Sequence, residues 1–145
     1  MTKPPVIEPP NRARAAPPAL AGRVLLAEDD EEMRRLLASA LRKSHYEVLE
    51  AADGKELLER LSQTRAGAPP VDLIVTDVRM PRLTGIQALR QIHDSGFDIP
   101  VVVITAFGDH ATRIDAWLHG ASAVLDKPFE VEDLLDEIKR LRFEP

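Results

Sequence analysis

Between Arg23 and Arg142, short apolar runs alternate with amphipathic stretches five times. The apolar runs are "RVLLA" (23–27), "YEVLEA" (46–51), "VDLIVT" (71–76), "IPVVVIT" (99–105) and "SAVLD" (122–126). They are brief and carry many valines and isoleucines, so they read as strands. The first amphipathic stretch, "EEMRRLLASALRK" (31–43), spaces Met33, Leu36, Leu37, Ala40 and Leu41 along one helical face. "GKELLERLSQ" (54–63) turns Leu57, Leu58 and Leu61 inward. "TGIQALRQIHD" (84–94) is capped by Thr84, and "DHATRIDAWLH" (109–119) is closed by Gly120. "EVEDLLDEIKRLR" (130–142) puts Leu134, Leu135, Ile138 and Leu141 on one face. Strands separated by helices run parallel through right-handed crossovers. Their continuous apolar character means that helices cover both faces of the sheet. The expected fold is α/β, a doubly wound (βα)5 flavodoxin-like sandwich whose five-stranded parallel sheet has the order 2-1-3-4-5.

The stretch before Arg23 has a different character. Residues 1–22 hold six of the twelve prolines, three Pro-Pro pairs and no apolar period. We expect a Pro-rich, largely disordered arm over 1–22 and one folded domain over 23–143. Lys3, Arg12 and Arg14 against Glu8 make the arm basic, although the whole chain carries a net charge of −5. That charge gives no reason to expect direct nucleic-acid binding. The absence of cysteine excludes a disulfide framework and a thiolate metal site. No apolar run approaches the ~18 residues that span a membrane, and no secretory signal is apparent, so a cytoplasmic location is expected.

In a sheet of this order, ligands bind beyond the carboxyl ends of the strands, where the order reverses between strands 1 and 3. Polar residues gather at those ends. Strand 1 runs into Glu28-Asp29-Asp30, strand 3 into Asp77, strand 4 into Thr105 and strand 5 into Asp126-Lys127-Pro128. Each has a plain structural reading. Asp29 or Asp30 can cap the next helix, with Asp29-x-x-Glu32 fitting a capping box, and Asp77 can mark a turn. Their convergence around one crevice favours a site. Glu28, Asp29 and Asp77 there would repel strongly, by about 4 kcal/mol for a pair ~4 Å apart at an effective dielectric of ~20. A hard divalent cation relieves that, and Mg²⁺ suits oxygen ligands beside a phosphoryl group. No nucleotide-cradling glycine loop follows strand 1. A carboxylate can instead act as nucleophile and form an acyl phosphate, steadied by the cation, Lys127 and Thr105.

With "VLLAEDDEEMR", "VDLIVTDVRMPRLTG", "VVVITAFG" and "GASAVLDKPF", residues 23–143 resemble the receiver domain of two-component response regulators. The resemblance implies that Asp77 is the phosphoacceptor. It implies that Asp29 ligates Mg²⁺ directly, Glu28 acts largely through water, and the Arg79 carbonyl is a further ligand. Thr105 would bond the phosphoryl oxygens, Lys127 would ion-pair with them, and Lys127-Pro128 would be a cis bond. The donor would be a histidine kinase or a histidine phosphotransfer protein, meeting the exposed face of the first helix and the Pro128-Phe129 loop. The reader would be a downstream protein or a second copy of the chain, through the fourth helix, fifth strand and fifth helix. Two departures stand out: Val124 where the family often has an aromatic ring, and Glu28 where aspartate is commonest. Arg79 and Phe107 occupy positions that tune dephosphorylation in the family.

Two other readings stay open. One is a receiver-like interaction module that works without phosphorylation, favoured by Val124, which has no ring to swing. The other is a hydrolase acting through an aspartyl phosphate, disfavoured because Arg79 stands where a second acid/base aspartate would be needed. Independent substrate turnover is not expected. Trp117 is expected in the core or at its rim. After Arg142 only "FEP" remains, so either the chain is a single-domain regulator or it continues in a longer protein.

Overall fold

The computed structural model describes residues 20–143, so the expected arm lies almost wholly outside the described residues. Five parallel strands are β1 (Gly22–Ala27), β2 (Tyr46–Ala51), β3 (Leu73–Asp77), β4 (Val101–Ala106) and β5 (Ala123–Lys127). Five helices follow them in turn: α1 (Glu31–Lys43), α2 (Gly54–Arg65), α3 (Gly85–Asp94), α4 (His110–Leu118) and α5 (Val131–Phe143). The sheet order is β2-β1-β3-β4-β5, the order expected from the sequence.

Alternate residues of each central strand feed two separate cores, because side chains of a strand point to opposite faces. Leu25, Ile74, Val101 and Val103 pack beneath Leu57 and Leu61 of α2, Leu89 and Ile92 of α3, and Ala116 of α4. Leu26, Leu73, Val75 and Ile104 face Leu37 and Leu41 of α1 and Leu134 and Ile138 of α5. Each fully buried aliphatic side chain stabilises the fold by roughly 1.5–3 kcal/mol. Every residue of β3 is buried, including its terminal Asp77.

Local chemistry sets the helix starts. Asp30, not Asp29, caps α1 by accepting from the Met33 amide at 3.1 Å. Glu31 and Glu32 then occupy the first turn, so the cap lies one residue later than the Asp29-x-x-Glu32 pattern suggested. Thr84 and Gln87 form a reciprocal capping box on α3. The amphipathic face of α1 is narrower than the leucine spacing implies: Leu37 and Leu41 are buried, whereas Leu36 is 56% exposed. Leu36 instead lines an open groove with Met33, Phe129 and Val131.

Gly85 opens α3 against the end of β3, and a Cβ there would overlap the Asp77 carbonyl oxygen. In an ordinary helix, glycine to alanine stabilises. Here the sign reverses. We expect Gly85→Ala to lower unfolding stability by about 1–3 kcal/mol, measured by urea denaturation, because the obstacle is backbone that cannot rotate away.

Candidate functional site

The strand ends bring the expected residues together. The Glu28 amide still bonds the Ala51 carbonyl at 3.0 Å, which holds Glu28 in line with β1. In the same way the Val78 amide bonds the Ile104 carbonyl at 3.0 Å and fixes the exit of β3. Glu28, Asp29 and Asp77 offer carboxylate oxygens that lie within 4.8 Å of one another. Glu28 and Asp77 are buried and Asp29 is exposed at the mouth. Three such oxygens form an acidic pocket suited to a hard divalent cation.

Lys127 crosses from β5 to this cluster. Its Nζ lies 2.7 Å from Asp77 Oδ2 and 3.4 Å from Glu28 Oε1. A buried carboxylate without a partner is costly, and this lysine makes Asp77 tolerable where it stands. Backbone amides help: Arg79 N–H donates to Asp77 Oδ1 at 3.2 Å, and Asp30 N–H donates to Glu28 Oε2 at 3.3 Å. Burial, reinforced by the charge of Asp77, pushes the Glu28 carboxyl up to about 7. Burial alone would lower Lys127, but the hydrogen bond and charge of Asp77, then Glu28, outweigh it and hold the ammonium above the ordinary lysine value.

Thr105 sits on β4 one residue beyond Ile104, the register partner of Asp77. It is 1% exposed, and its Oγ1 has no hydrogen-bond partner among the described residues. The Lys127-Pro128 bond is cis. Arg79 turns its side chain outward, 80% exposed, with a guanidinium nitrogen 3.8 Å from Asp109 Oδ2. Val124 is partly buried against the core. Trp117 is 48% exposed on α4, a solvent-facing position and not the expected core or rim one.

Four supporting contacts were not evident in the sequence. Arg34 of α1 donates to the Glu28 carbonyl at 2.8 Å. Asp53, just after β2, caps α2 and takes 2.8 and 2.6 Å contacts from Arg82, clamping the loop after β3. Burial would raise Asp53, but the Glu56 amide and Arg82 outweigh it and lower its pKa. Asp109 caps α4 by accepting from the Thr112 amide at 3.1 Å and the Thr112 hydroxyl at 2.7 Å. Those bonds, with the charge of Arg79, hold its carboxyl below the usual range. Finally, Arg113 pairs with Asp126. The Asp-Gly pair at 53–54 and the Asp109-to-Thr112 spacing are cap signals, but nothing local marks the distant arginines.

Residues 24–139 match the family model of the response regulator receiver domain. The chain is 37% identical over 119 residues to the response regulator receiver protein CpdR of Brucella abortus, covering 82% of this chain and 95% of CpdR. It is 38% identical over 119 residues to the response regulator MprA of Mycobacterium leprae, covering 82% of this chain and 50% of MprA, and so spans about half of that relative. Among solved structures, the response regulator TrrA of Thermotoga maritima in complex with Mg²⁺-BeF superposes with a TM-score of 0.72 at 25% identity, covering 83% of this chain and 98% of that one. The chain belongs to the response regulator receiver domain family, the receiving module of two-component signalling.

The raised Glu28 predicts a pH effect on the metal-free protein. Folded Glu28 titrates near 7 against 4.5 as its ordinary value. Its contribution is therefore fully present below 4.5 and lost as pH rises through about 7. The depressed Asp53 and Asp109 act in the opposite sense, at lower pH, and leave this window clear. With a chelator present, we expect urea stability to fall between those two values by on the order of 2 kcal/mol. Glu28→Gln should flatten that slope, and added Mg²⁺ should offset it.

Proposed function

We propose that this receiver accepts a phosphoryl group from a phosphohistidine onto Asp77 and thereby switches a protein contact. A carboxylate oxygen of Asp77 attacks phosphorus, the P–N bond breaks, and the leaving imidazole nitrogen takes up a proton. Water later cleaves the aspartyl phosphate, returning Asp77 and inorganic phosphate. Asp29, Asp77 and the Arg79 carbonyl would hold a Mg²⁺ ion directly, and Glu28 would act on it largely through water. The ion supplies charge neutralisation for the transferring group. Lys127, already on Asp77, ion-pairs with the phosphoryl oxygens.

The observation that carries this reading is Thr105 Oγ1, buried and unpartnered beside the end of β3. Leaving a buried hydroxyl unpaired costs about 1–3 kcal/mol. A phosphoryl oxygen on Asp77 supplies the acceptor it lacks.

An apolar groove of about 440 Å³ opens next to Lys127, lined among others by Met33, Leu36, Phe107, Pro128 and Phe129. It supports docking of the phosphodonor, a histidine kinase or histidine phosphotransfer protein, against α1 and the Pro128-Phe129 loop. Phe107 at 80% exposure and Leu36 at 56% would be covered by that partner. The reader of the phosphorylated state, a downstream protein or a second copy of the chain, would use α4, β5 and α5. Among the described residues no helix is long and apolar enough to cross a membrane. We place the receiver, residues 23–143, in the cytoplasm.

Beryllofluoride with Mg²⁺ tests the reading, using the single tryptophan, Trp117, as reporter. Its emission should change in the wild type and not in Asp77→Asn. A silent wild type, or the same change in the variant, would refute phosphorylation at Asp77. Partner affinity left unchanged by Asp77→Ala would favour the phosphorylation-independent module. Arg79 is long and exposed enough to lean over the acyl phosphate and exclude water. Arg79→Ala should therefore shorten the phosphoform's half-life, and a longer half-life would contradict that role.

A further inference from the structure

Helix α4 is lightly packed against the body. Of its nine residues only Ala116 is buried, whereas α1 and α2 each bury three and α3 buries four. Ile114, Trp117 and Leu118 are exposed at 58%, 48% and 77%. Two ion pairs tie the helix down. Its cap Asp109 meets Arg79 at 3.8 Å, and Arg113 meets Asp126. Both outer partners adjoin the reacting residues. Arg79 is two positions after Asp77, and Asp126 stands just before Lys127 and in register with Thr105.

We propose that the Arg79–Asp109 pair is a latch that holds α4 in its unphosphorylated position, and that phosphorylation of Asp77 opens it by drawing Arg79 to the phosphoryl group. The proposal rests on the reading of Asp77 as phosphoacceptor. A phosphoryl group adds about −1.5 to −2 charges. It competes with the single charge of Asp109, whose oxygens are already engaged by Thr112. Asp109 keeps those two bonds when Arg79 leaves, so the first turn of α4 stays capped while its tie to the loop after β3 is lost. The Arg113–Asp126 pair, for which the phosphoryl group does not compete, remains as the pivot. This route needs no aromatic ring at Val124. Arg79 and Asp109 are then positioning residues for the output helix.

Asparagine caps helices as well as aspartate but carries no charge. Asp109→Asn therefore removes the latch and keeps the cap, while Asp109→Ala removes both. In the full chain without beryllofluoride, Asp109→Asn should speed amide exchange in residues 110–118 by about two- to fivefold, the weight of one exposed ion pair. Trp117 emission should move toward that of the beryllofluoride-bound wild type. Exchange in α3 should not change, and the further step on adding beryllofluoride and Mg²⁺ should shrink. If Asp109 only caps, Asp109→Asn will behave as wild type and Asp109→Ala alone will differ, which overturns the latch. An undiminished beryllofluoride step in Asp109→Asn overturns it equally. A wild type silent to beryllofluoride would instead refute phosphorylation at Asp77, and with it the opening step. An altered Asp109→Asn in the same experiment would still establish the tether itself.

Discussion

The bridge from Lys127 to Asp77 and Glu28 is the contact on which the rest of the site depends. Two carboxylates are buried at the ends of adjacent strands, and one ammonium, at 2.7 and 3.4 Å, stands between them. One positive charge cannot balance both buried acids and the exposed Asp29 beside them. The pocket answers with backbone amides from Asp30 and Arg79 and with a Glu28 that takes up protons near neutrality. The remaining imbalance is what makes the pocket suited to a cation. The apolar strands matter here for position: by burying the whole of β3 they deliver Asp77 to the crevice in a fixed place.

The loops around this bridge are held very differently. The loop after β3 is clamped from two sides. Asp53 grips Arg82, and Gly54 and Gly85 allow backbone to approach where a Cβ would collide with Leu83 and Asp77. The loop after β4 carries the exposed Phe107 and leads into α4, a helix with a single buried side chain among its described residues. A rigid wall therefore presents the carboxylates, and a weakly packed wall faces it across the mouth. Few apolar contacts on the weakly packed side oppose a change of charge at Asp77.

Asp77 and Thr105 are linked only through the sheet. Register places Asp77 beside Ile104 and Thr105 beside Asp126, so a shift of one residue in β4 would turn the hydroxyl to the other face. The unpaired buried Thr105 hydroxyl is thus a product of the whole parallel ladder.

The alternation of apolar strands with amphipathic helices pointed to a doubly wound parallel sheet and to its order 2-1-3-4-5, which the structure bears out. Parallel strands joined by helical crossovers have few arrangements, and the strand ends then locate the crevice. Glu28, Asp29, Asp77, Thr105 and Lys127 were legible for that reason: each directly ends or follows a recognisable strand. Local patterns left open which of Asp29 and Asp30 caps α1 and did not foresee the exposure of Leu36, because neighbours decide both outcomes. The pairs Asp53–Arg82, Arg79–Asp109 and Arg113–Asp126 join residues 29, 30 and 13 positions apart. No periodicity or spacing encodes such a pair, because a long charged side chain chooses its partner only after packing has set the distances. The sequence by itself determined where the acidic crevice lies. Tertiary structure alone decided how firmly each wall of it is held.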